Sequence, residues 1–94
     1  QASISLMIIK EIHYTTNFVK KWRKLNLQEK TKYKKKIKVF QQNPFNSKLK
    51  THKLKGKLVG FWSLSLTYQK RILFKFLNKR KAIFYDFGSH QIYR

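Results

Sequence analysis

Residues 81–94, KAIFYDFGSHQIYR, decide how the rest of the chain is read. Ile83, Phe84, Tyr85 and Phe87 are β-branched or aromatic, the composition of a strand on a pleated, well-buried surface. Gly88 ends the strand, because glycine serves a sharp bend or a close backbone approach. Just beyond it stand Ser89, His90 and Tyr93. An imidazole and a phenol at the end of a buried strand, in a strongly basic chain, form a candidate chemical site.

Working outward, two more strands precede this one. Residues 71–77 alternate, with Ile72, Phe74 and Phe76 on one face and Arg71, Leu73 and Lys75 on the other. Residues 61–66 do the same, with Trp62, Leu64 and Leu66 opposed to Phe61, Ser63 and Ser65. Short turns at 67–70 and 78–80 make the three strands an antiparallel meander. Before them, 45–57 is a polar, basic connection that holds His52 and Gly56, tacked to the core by Leu49 and Leu54. Two amphipathic helices come earlier. Phe18, Trp22 and Leu25 recur at helical spacing after the capping types Thr15, Thr16 and Asn17. After a break at Asn26, a second helix opens at Gln28 with the stripe Tyr33, Ile37 and Phe40, and Asn43-Pro44 ends it. Residues 8–14 read as a first strand, in which His13 is structural or solvent-facing. The expected fold is therefore α+β, β-α-α-β-β-β, an antiparallel sheet with a two-helix hairpin packed on one face. The other face is left open, with Arg71 and Lys75 projecting from it. Met7, the only methionine, stands where the pattern becomes regular. Residues 1–6 read as an N-terminal extension or cloning remnant, and 7–94 as a single domain.

The 94 residues carry 23 Lys and Arg against 3 Asp and Glu, a formal charge of +20. That is far beyond what solubility needs, and self-repulsion makes it costly, so it points to a polyanionic partner. Nucleic acid comes first, an anionic membrane second and an acidic protein third. The basic residues are interleaved with apolar ones, which favours a folded charged face over a disordered arm. Without cysteine there is no disulfide framework and no thiolate zinc site, in keeping with a reducing cytoplasm. No apolar run approaches the ~20 residues of a membrane helix.

His52 in the basic loop, His90 past the bend and Arg71 on the open face make a chemical set suited to RNA. RNA carries its own nucleophile, the 2′-OH. Cleavage needs a base for its proton, an acid for the leaving 5′-oxygen and cations for the charge that builds on phosphorus. Imidazoles titrate in the useful range, and a guanidinium fork matches phosphate oxygens. Metal-dependent cleavage is disfavoured, because Glu11, Glu29 and Asp86 are the only carboxylates and are scattered. No small-molecule cofactor is expected. Trp62, Tyr68, Tyr85 and Tyr93 are candidates to stack on unpaired bases; Trp62 and Tyr85 are expected to be substantially core, leaving Tyr93 the better placed.

HKLKGKLVGFWSLSL at 52–66, KRILFKFL at 70–77 and AIFYDFGSHQIYR at 82–94 resemble the RelE/ParE superfamily of type II toxins. The helical part with its Asn-Pro exit is similar too, so the resemblance spans roughly 7–94. The loop histidine and the Gly-Ser-His ending are most like the YafQ branch of ribosome-dependent mRNA interferases. The resemblance implies a microbial RNase fold and metal-independent mRNA cleavage in the ribosomal A site. It also implies inhibition by an acidic antitoxin. Carried onto this chain, it makes His90 the catalytic acid or base and His52 the second histidine. Arg71 would hold the scissile phosphate, Tyr93 would stack near the substrate base, and Lys53 and Lys55 would add phosphate contacts. Lys75 and Tyr85 complete the expected RNA surface. Some members carry a further His or Asp around 59–62, and this chain has none there. The ParE branch shares the fold but poisons DNA gyrase; the imidazole of His90 favours the nuclease. A basic RNA-binding module without catalysis is the third reading.

Overall fold

The computed structural model describes residues 8–89 and Ile92. Met7 and the 1–6 segment, and at the other end His90 and Tyr93, lie outside the described residues. The elements are β1 (Glu11–Tyr14), α1 (Thr16–Arg23), α2 (Leu27–Gln42), β2 (His52–Lys53), β3 (Trp62–Ser65), β4 (Arg71–Asn78) and β5 (Lys81–Gly88). They form a five-stranded sheet in the order β1-β5-β4-β3-β2, with the helices on one face. This is the expected α+β order with one addition, β2. A 3₁₀ turn at Ser47–Leu49, followed by Lys50 in the left-handed region, swings the basic connection alongside β3. Leu49 is fully buried and Leu54 partly so.

The sheet is not wholly antiparallel as expected: β1 runs parallel to β5. Hairpin turns force β3, β4 and β5 to alternate in direction, but nothing so constrains β1, which meets β5 only after the whole chain has intervened. Parallel pairing sets Tyr14 beside Phe84, where its ring packs edge-on at 5.8 Å between centroids. β1 is also shorter than 8–14. Ile9 is buried before it, its N–H donating to the Gln41 carbonyl at the end of α2.

Both helices are capped by the residue types that mark them. Thr15 accepts from the Phe18 N–H, and Asn26 forms a reciprocal capping box with Glu29, which starts α2 at Leu27, one residue before expectation. The stripes bury Phe18, Tyr33 and Phe40 against Leu64, Ile72, Phe74, Phe84 and Phe87. No helix among the described residues is long and apolar enough to cross a membrane.

β5 departs from simple alternation. Phe74 pairs with Phe84 but Leu73 pairs with Asp86, so Tyr85 is an extra residue, a β-bulge. The bulge lets Phe84 and Phe87, three positions apart, both reach Phe18 at 5.5 and 5.2 Å. Strict alternation would send them to opposite faces. Thr15 bridges the bulge to α1: its hydroxyl donates to the Tyr85 carbonyl at 2.6 Å while accepting from the Phe18 N–H at 3.1 Å. Thr15→Ala therefore loses a helix cap and the bulge contact together, and we expect chemical denaturation to show about 1–2 kcal/mol less stability. Thr15→Ser should retain most of it. An alanine variant as stable as the parent would contradict this account of the bulge.

Candidate functional site

The sheet face away from the helices carries the candidate site. Residues paired across an antiparallel ladder share a face, so His52, Ser63 and Leu73 lie together, as do Ser65, Arg71 and Gly88. This face is less bare than expected, because Ser63, Ser65 and Leu73 are buried. Arg71 lies over Ser65, Phe61 packs on Tyr85 at 4.9 Å, and Ile92 folds back to Gly88.

Arg71 is the best-placed of the expected residues. Nη1 donates to Ser65 Oγ at 2.8 Å, and Nη2 lies 3.5 Å from the Tyr68 carbonyl. Its Nε is buried and has no hydrogen-bond partner among the described residues. The guanidinium is thus oriented by neutral groups, and among the described residues no carboxylate pairs with it. A buried donor without a partner is costly, and an anion would satisfy it.

His52 is exposed on β2, two strands from Arg71, a separation of about 10 Å across the sheet. Its Nδ1 lies 2.9 Å from the Lys50 carbonyl. A carbonyl only accepts, so Nδ1 carries the hydrogen, and in the neutral ring Nε2 keeps its lone pair for an outside proton. His13 is set apart, paired with Glu11 at 2.7 Å on β1.

The lysines divide. Lys75 places its ammonium 4.5 Å from the Phe61 ring centre and 5.8 Å from that of Tyr85, so Lys75 and Tyr85 share one cationic, aromatic patch. Lys53 pairs with Trp62 and sits over its ring at 5.6 Å, on the helix side of the sheet, away from Arg71. Lys55 is exposed in the loop just before the 3₁₀ turn Gly56–Leu58. Trp62 is half-buried against Phe45 and Phe76 and belongs to the core, as expected. Tyr85 is equally half-buried but packs on the opposite face. His90 and Tyr93 lie outside the described residues.

Four residues whose contacts matter here do not show in the sequence alone. Ser65 orients Arg71; a small polar residue opposite an arginine across a hairpin is the signal that could have shown it. Phe61 completes the Lys75 patch from a position read only as one of the outward residues of its strand. Lys21 and Asp86 form an ion pair at 2.6 Å between residues 65 apart in sequence, which no local pattern reveals.

Gly88 stands opposite Arg71, and a Cβ there would lie 2.9 Å from Ile92 Cγ2. Gly88→Ala must displace the turn closed by the Ile92 N–H on the Ser89 carbonyl. We expect the shifts in amide resonances to concentrate at Ser89, Ile92 and Arg71, with a stability loss of about 1 kcal/mol or more. A spectrum unchanged at those residues would show that the glycine is dispensable.

The chain matches no protein-family model, and no curated protein matches it significantly. Solved structures do match. A YoeB/ParE toxin from Agrobacterium tumefaciens superposes with a TM-score of 0.71 at 19% identity, covering 85% of this chain and 98% of that one. YafQ from E. coli gives 0.62 at 18%, covering 87% and 94%. A chain of the RelBE2 toxin–antitoxin complex from Mycobacterium tuberculosis gives 0.72 at 14%, covering 89% and 94%. Two helices on a five-stranded mixed sheet, matched over most of every chain compared, give this protein the RelE/YoeB-like toxin fold.

Proposed function

We propose that the chain is the toxin of a type II toxin–antitoxin pair and an endoribonuclease that cleaves mRNA on the ribosome. The observation that carries this reading is Arg71, held by Ser65 with a buried Nε that has no partner among the described residues, on the same face as His52 and opposite Gly88. His90 follows Gly88 by two residues in the chain. In this scheme Arg71 binds the scissile phosphate and stabilises the charge developing on it. His52, with Nδ1–H on the Lys50 carbonyl, accepts the 2′-OH proton at Nε2. The 2′-oxygen attacks phosphorus, and the 5′-oxygen departs with a proton from His90. The products are a 2′,3′-cyclic phosphate and a 5′-hydroxyl, and no step calls for a metal ion. Lys75 and Tyr85 would hold a neighbouring nucleotide, with Tyr93 stacking on the base. Lys53 and Lys55 would extend the phosphate track around the sheet edge, and the lysines of α2 would meet ribosomal RNA.

The partner side of the reading rests on a different surface. A cleft of about 420 Å³ opens between the helices, lined by Tyr14, Phe18, Val19, Trp22 and Ile37, with Lys34 and Lys38 on its wall. Apolar lining with a cationic rim suits an acidic amphipathic segment of an antitoxin. Related folds have been solved as YoeB-YefM and RelBE2 toxin–antitoxin complexes.

The test is induced expression followed by mapping of mRNA 5′ ends, with and without translation. We expect translation-dependent cuts that Arg71→Ala and His90→Ala each reduce by about a hundredfold or more, with the protein still folded. Undiminished cutting by either variant would remove that residue from the mechanism. Intact mRNA accompanied by relaxed or cleaved DNA would select gyrase poisoning instead, and harmless induction a non-catalytic RNA-binding module.

A further inference from the structure

The bulge in β5 does more than fill the core. From Ala82 to Phe84 the partners on β4 follow one register, Phe76, Lys75 and Phe74; from Asp86 to Gly88 they follow another, Leu73, Ile72 and Arg71. Without the extra residue Tyr85, Arg71 would face Phe87, and Gly88 would lie one place beyond it. A slip of one residue also turns every following side chain to the other face. The direction in which the chain leaves β5 is therefore set at the bulge.

A bulge leaves its ladder locally unpaired and needs support from outside the sheet. Here the support comes from α1. β1 ends at Tyr14, opposite Phe84, and α1 runs on beside the rest of β5. Thr15 takes the Tyr85 carbonyl, and Lys21 takes the Asp86 carboxylate at 2.6 Å. The same Asp86 oxygen accepts from the Phe87 N–H at 2.8 Å, which ties the carboxylate to the backbone it steadies. Asp86 is one of only three acidic residues in a chain of charge +20. Its side chain is 21% exposed and that of Lys21 41%, so the pair is partly shielded from solvent. Asp86 pairs with Leu73 and so lies by register on the face that carries Arg71, but its side-chain contacts among the described residues run to Lys21 and the Phe87 N–H, not to Arg71.

We propose that the Lys21–Asp86 pair is a positioning device: it locks the bulge register that sets Gly88 opposite Arg71. Its consequence for cleavage rests on the nuclease reading above; its structural content does not. These are positioning residues, with no contact to substrate assigned to them.

The experiment uses the full chain carrying Asp86→Asn, Lys21→Met or the charge swap Lys21→Asp/Asp86→Lys. Two readouts are taken: cross-strand backbone nuclear Overhauser contacts between Arg71 and Gly88, and mRNA cleavage on programmed ribosomes. We expect the single variants to stay folded and lose the Arg71–Gly88 contacts. Their kcat should fall about tenfold or more with KM changed less than about threefold, and the swap should recover both readouts. Single variants that keep the contacts would overturn the proposal, whatever their activity. So would a folded swap that recovers neither readout. If the parent protein cleaves no RNA, the nuclease reading fails, and the contacts alone decide the register lock. If the parent cleaves and Asp86→Asn cleaves equally fast, the pair's role in positioning for cleavage fails while the nuclease reading stands.

Discussion

Phe84 and Phe87 must both enter one core, although they stand three apart in a strand whose side chains alternate. The extra residue at Tyr85 resolves the conflict, and much of the rest follows from it. The two rings meet Phe18, which anchors α1; α1 then supplies Thr15 and Lys21 to the bulge that made the contact possible. Core packing and strand register thus support each other. Neither the helix nor the bulge would hold its place alone, the mutual consistency expected of a sequence that specifies one structure.

The distribution of charge follows a second logic. Each of the three carboxylates has a local structural task. Glu11 meets His13 and Lys81, Glu29 closes the capping box of α2, and Asp86 holds Lys21. The formal surplus of 20 positive charges has no acidic side chain to meet it. On the face away from the helices Arg71 is oriented by a hydroxyl and Lys75 by two rings, so their directions are limited without an ion pair among the described residues. Such preorganisation lets a cation act on a phosphodiester without first being detached from a counter-charge.

Much of this architecture was legible because the signals were local. Thr15 and Asn26 mark the helix starts, Asn43-Pro44 the exit, and the alternation at 61–66 and 71–77 the hairpin strands. Arg71 and Lys75 were placed on the correct face by period-two reasoning alone. Other features depend on partners distant in sequence. β2 is two residues long, too short for any pattern to show. The parallel pairing of β1 is decided by what Tyr14 and Ile9 bury, and the Tyr85 bulge by the demands of Phe18 in another element. Lys53 was grouped with the phosphate ligands by its place in a basic loop, yet strand pairing turns it to the opposite face. His52 stands out by residue type, while its tautomer follows only from the Lys50 carbonyl.

The account turns on RNA supplying its own attacking oxygen to a phosphate gripped by Arg71. The most direct measurement replaces one ribose of a ribosome-bound message, at the mapped cut, by 2′-deoxyribose. The account predicts that cleavage at that bond disappears while binding of the message is unchanged, and that the all-ribose message ends in a 2′,3′-cyclic phosphate. Cleavage of the deoxy-substituted bond at the normal rate would contradict it.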